Sequence, residues 1–137
     1  MKLIAIVSLI VTPGYSASPP TQTAKHPIDA YQQSCIAADP TTAGMTNCTN
    51  QARGLWEKEM EIKYMNLLSV LKPEEKKVLQ HSQRQWMAYR DAEFKAIDTL
   101  YNRLDGTMYI PMRASEKLSI VKNRVQCLVS YFSLIEQ

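Results

Sequence analysis

Gln83-Arg84-Gln85-Trp86-Met87-Ala88-Tyr89-Arg90-Asp91-Ala92-Glu93 is the stretch whose reading decides the fold. It lies inside a run without Pro or Gly that extends from Glu74 to Asp105. Leu79, Gln83, Trp86, Arg90, Glu93, Ile97, Leu100 and Leu104 follow one another at steps of three or four. That spacing is one face of an α-helix. Apolar residues at both ends of the stripe predict that the face is buried. Its centre is polar, and a buried Arg is costly unless paired and hydrogen-bonded. The stripe therefore predicts a carboxylate partner for Arg90: Glu93 one turn along, or Glu57 or Glu61 from a preceding antiparallel helix. Two readings of the centre stay open. It is a polar network that fixes helix register, or a binding face built from Gln83, Trp86, Tyr89, Arg90, Asp91 and Glu93.

Working outward, the rest of the chain also reads as helix. Pro27 opens a short helix through Ile28, Tyr31 and Cys35, and Asp39-Pro40 stops it. Thr41-Thr42 can cap a long helix running to about Leu71, with Met45, Cys48, Ala52, Leu55 and Trp56 on one face. Lys72-Pro73-Glu74-Glu75 is a joint, with Pro and acids in the first turn of the next helix. That helix runs to about Leu104, and Asp105-Gly106 is a turn. A last helix starts near Pro111 and aligns Leu118, Val121, Val125 and Leu128. No stretch alternates long enough for a convincing strand. The expected fold is all-α: a small bundle of three long helices and one short N-terminal helix, residues 27–137 forming a single domain.

Composition agrees with one globular domain. The chain has 137 residues, 45% hydrophobic and 21% charged, with 4 Gly. Its net charge is +3, which falls to +2 without Lys2. With no Lys/Arg run, that is too little to imply nucleic acid as a partner. Lys2, the apolar run Leu3–Val11 and the small residues Gly14 and Ser16 read as a signal peptide over 1–16. The apolar run is too short for a membrane span. Residues 17–26 read as a flexible lead-in. The protein is thus expected in the periplasm or outside the cell, where disulfides persist.

Three cysteines leave one thiol after any single internal bridge. Cys35 and Cys48 flank a segment that can fold the chain back, so they are the expected pair. Such a short loop contributes about 3 kcal/mol in the loop-entropy picture. Cys127 lies on an apolar helix face, as a buried small residue or the site of an intermolecular bridge. No Cys or His spacing fits a metal, and no cofactor is expected. Gly-x-Ser-x-Gly, phosphate-loop and His-Glu-x-x-His motifs are absent from the sequence. Glu57 and Glu61 could in principle pair as acid and base, but nothing beside them implies a substrate pocket. With no catalytic constellation in it, the chain does not read as an enzyme, and residue chemistry alone does not say what it does.

Thr41-Thr42-x-x-Met45 between two Cys, Trp56 to Tyr64, Gln83-x-x-Trp86-x-x-Tyr89-Arg90-Asp91, Gly106-Thr107-x-Tyr109-x-Pro111 and Arg124 form a recognisable series. It resembles the N-terminal domain of LprI-type lysozyme inhibitors, a widespread family of small exported proteins. The resemblance spans about Cys35 to Leu128 and implies a protein partner, such as a lysozyme or another muramidase. Under that reading the Asp105–Pro111 loop, with Asp105 and Gly106 in its turn and Tyr109 as its anchor, is the candidate inserting element; the other reading of the loop is a plain helix connection. The alternative is a cell-envelope interaction or structural module without inhibitory activity. The family often has a Cys where Phe94 stands, with a partner Cys in the region of Arg113 to Lys117. The loss of both here implies that one disulfide has gone as a pair, which leaves Cys35–Cys48.

Overall fold

The computed structural model describes residues 25–136. The expected signal peptide and most of the lead-in lie outside the described residues. Four helices follow in order: α1 (Pro27–Ala38), α2 (Thr42–Val70), α3 (Pro73–Tyr101) and α4 (Tyr109–Ile135). There is no strand among the described residues, and the three-long-plus-one-short arrangement is present.

Each helix begins for a local reason. The His26 ring accepts a hydrogen bond from the Ile28 amide, and Pro27 occupies the first turn of α1. Thr41 Oγ1 accepts from the Gly44 amide at 3.0 Å and starts α2. The Asp39 carboxylate accepts from both the amide and the hydroxyl of Thr41, which holds it below the ordinary carboxylate range. Gly44 is buried against Asp39 so closely that a Cβ would overlap its backbone and side chain. At the next joint the Lys72 amide donates to Glu75 at 2.8 Å. Gly106 takes a φ of 119°, the turn that Asp105-Gly106 predicts. α4 starts at Tyr109, two residues ahead of Pro111. First-turn amides have no partner within the helix, so a Pro in that turn removes nothing.

The core lies mainly between α2 and α4. Ala52, Trp56, Met60 and Leu67 face Leu118, Val121, Val125 and Leu128, with Leu79 from α3. The apolar face read for α4 is thus fully buried. α1 is fastened to α2 by the Cys35–Cys48 disulfide, whose Cα atoms are 5.7 Å apart. It reaches α4 through Asp29, which pairs with Lys122 at 2.6 Å. α3 packs chiefly on α4, and a groove of about 550 Å³ separates its middle from α2.

The stripe on α3 is buried at one end only. Leu79 and Gln83 are buried, and Trp86, Arg90, Glu93 and Ile97 are half-buried. Leu100 and Leu104 are 60% and 46% exposed, against expectation. The helix ends at Tyr101, so periodicity no longer aims Leu104 at the core, and Leu100 sits in the fraying last turn.

Candidate functional site

The central stretch divides into an inward and an outward part. Gln83 and Trp86 turn toward α4 and meet a residue that sequence reasoning named only as the last element of a motif. Arg124 lies between Val121 and Val125 on the buried face of α4 and is only 7% exposed. Its Nε donates to Gln83 Oε1 at 3.0 Å, and an Nη donates to Ser82 Oγ at 3.4 Å. Its guanidinium carbon is 5.7 Å from the centre of the Trp86 ring. The Gln83 amide in turn points at Met60 Sδ, 3.7 Å away. No carboxylate of the described residues forms an ion pair with Arg124. The buried charge is stabilised instead by a carbonyl, a hydroxyl and an aromatic face, each a weaker partner but none carrying a second desolvation cost. The signal for this was the position of Arg124 in the middle of the α4 stripe.

Arg90 is the other arginine on Trp86, with its guanidinium carbon 5.6 Å from the ring. It is half-buried, yet its carboxylate is the adjacent Asp91, which accepts from Nε at 2.9 Å and from an Nη at 2.7 Å. The expected partners are elsewhere: Glu57 is 3.7 Å from Arg53, and among the described residues neither Glu61 nor Glu93 forms an ion pair. Antiparallel height alone put Glu57 near Arg90. The separation of α2 from α3 keeps them apart, although Glu57, Glu61 and Arg90 line the same groove. Tyr89 and Asp91 are exposed, and Glu93 is half-buried. The outward part of the stretch is therefore a polar rim around that groove.

The Asp105–Pro111 segment forms the far end of the bundle. Tyr109 is half-buried, packed near the bare Cα of Gly106, while Asp105 and Gly106 are exposed. Met108 (62% exposed) and Ile110 (42%) project from the segment, and Leu100 and Leu104 are exposed on the other side of the turn. Tyr101, Leu104, Tyr109 and Ile110 border a surface cavity of about 350 Å³ there.

Cys127 is free and half-buried, with Sγ 4.0 Å from an Nη of Arg124. Its thiol raises the neighbouring Tyr131 hydroxyl above the ordinary tyrosine range, Arg124 acting against it. Where the resemblance places a lost disulfide, Lys117 Nζ stands 5.5 Å from the centre of the Phe94 ring, and the Arg53 guanidinium is 5.4 Å from it. Non-covalent cation–π contacts join α2, α3 and α4 at that point. Among the described residues no cluster of His, Cys, Asp and Glu could hold a metal, and no helix is long and apolar enough to cross a membrane.

Comparison with known proteins agrees with this architecture. A crystal structure of an uncharacterized protein from Burkholderia thailandensis superposes with a TM-score of 0.73 and 30% identity, covering 77% of this chain and 53% of that one. The match thus spans about half the length of that relative. No curated protein matches. The family described as "Lysozyme inhibitor LprI" matches residues 35–128, from the first disulfide cysteine to the last buried leucine of α4. The chain belongs to the LprI lysozyme-inhibitor family.

Proposed function

We propose that this is an exported protein-binding protein that inhibits a lysozyme or another peptidoglycan-cleaving enzyme in the periplasm. Family membership supports an inhibitory role, and the Cys35–Cys48 disulfide fits an oxidising compartment. The observation that carries the reading is the far end of the bundle. Leu100 and Leu104 before the turn and Met108 and Ile110 after it are all exposed, and Leu104 and Ile110 border the same surface cavity. Exposed apolar groups gathered in this way mark interaction surfaces. A rigid frame lowers the entropy lost on binding. The positive net charge favours a target that is acidic or neutral over a basic lysozyme, because like charges give no steering.

Lysis of peptidoglycan by a basic lysozyme and by an acidic muramidase, each titrated with the purified disulfide-bonded protein, tests this. Inhibition of either, abolished by Met108→Asp at unchanged thermal stability, is the expected result. Full lytic activity of both enzymes at high inhibitor concentration would leave the non-inhibitory envelope module as the better reading.

A further inference from the structure

A second pocket, of about 220 Å³, opens where α2, the end of α3 and the start of α4 meet. It adjoins the cavity at the far end of the bundle through Ile110 and Arg113. Arg53, Arg113 and Lys117 converge on it, and Asp98 is the one carboxylate in its lining. The cations are withdrawn from water: side-chain exposure is 25% for Arg53, 34% for Arg113 and 16% for Lys117. Asp98 is 45% exposed; it holds Lys117 at 2.6 Å and reaches Arg113 Nε at 3.8 Å. Glu57 approaches Arg53 from outside the pocket at 3.7 Å, too far for a hydrogen bond. Among the described residues, Arg53 Nε is shielded from solvent without a hydrogen-bond partner.

Three largely shielded cations thus share one half-exposed carboxylate and the more distant Glu57, with one Nη of Arg113 also donating to the Asn102 side-chain oxygen at 3.0 Å. Two of them also lie against the same Phe94 ring. Guanidinium and ammonium groups held this way have donors left over, in the arrangement that carboxylate and phosphate oxygens satisfy. Asn50 adds a neutral amide at the rim. We propose that the pocket binds a small oxyanion, a carboxylate or phosphate group, through Arg53, Arg113 and Lys117, with Asp98 as the internal competitor. The proposal is independent of the inhibitory reading.

The test is an amide NMR titration of the intact, disulfide-bonded protein with succinate and, separately, with inorganic phosphate, at constant ionic strength and pH. Saturable shifts centred on Asn50, Arg53, Asp98, Arg113 and Lys117 are expected with at least one anion, and the pair of titrations separates the carboxylate source from the phosphate source. Arg113→Gln together with Lys117→Gln should weaken binding about tenfold or more. Asp98→Asn should tighten it, because it removes the competing charge; a purely structural role for these residues predicts no gain. Non-saturable shifts spread over surface lysines with both anions would overturn the proposal, as would Asp98→Asn binding no more tightly than wild type. If the double variant does not fold, the Asp98→Asn result decides alone.

Discussion

Arg124 and Arg90 use the same indole ring and are otherwise opposites. Among the described residues, Arg124 is buried on α4 without a carboxylate partner; Arg90 is half-buried on α3 with one beside it in sequence. A carboxylate is commonly taken as the mark of the important arginine. Here the ion pair belongs to the arginine nearer to solvent, since Asp91 is 65% exposed. Pairs of that kind contribute roughly 0–1 kcal/mol. The deeply buried guanidinium is matched to neutral acceptors, and losing it would strand them. The difference assigns Arg124 to the frame and Arg90 to the rim of the groove.

Arg124→Ala should have the largest effect. It leaves Gln83 Oε1 buried without its donor and opens a void between α3 and α4. A loss of about 3 kcal/mol is expected, seen as a fall in Tm of roughly 10 °C or more. Survival of the wild-type Tm would remove the basis for calling this network the frame.

Gln83→Leu comes next. The buried guanidinium loses its best acceptor, for an expected cost of about 2 kcal/mol in urea unfolding. In a double-mutant cycle with Arg124→Ala the two changes should be strongly non-additive, because either one abolishes the shared hydrogen bond. Simple additivity would show that Gln83 and Arg124 act separately.

Arg90→Ala should cost only about 1 kcal/mol, from the contact with Trp86 and the exposed Asp91 pair together. A loss as large as that of Arg124→Ala would erase the distinction between the two arginines. Asp91→Asn should be smaller still, a few tenths of a kcal/mol, and should disappear in about 1 M salt because the pair is open to screening. A salt-insensitive effect would mean that Asp91 is engaged in more than the visible surface pair.

Much of the fold was legible in the chain order. Pro27, Thr41 and Pro73 open helices, Asp39-Pro40 ends α1, Asp105-Gly106 marks the turn after α3, and the α4 stripe from Leu118 to Leu128 names a buried face. Cys35 and Cys48 meet because a short turn brings them together. These are local matters: capping, backbone sterics and 3.6-residue periodicity act within a few residues, so sequence alone determines them. Which arginine is buried is not local. Periodicity put Arg90 on an inward stripe, but the tertiary structure lays α3 on α4 and opens a groove toward α2, so the stripe meets Arg124 and leaves Arg90 at the edge. Asp91 is the partner of Arg90, while Glu57 and Glu61 lie on α2 across that groove. The cation cluster around Phe94 was equally out of reach, since Arg53, Phe94 and Lys117 are on three different helices. Helix faces follow from the order of residues, whereas the pairing of faces depends on how whole helices share one core, a choice that only the packed tertiary structure makes.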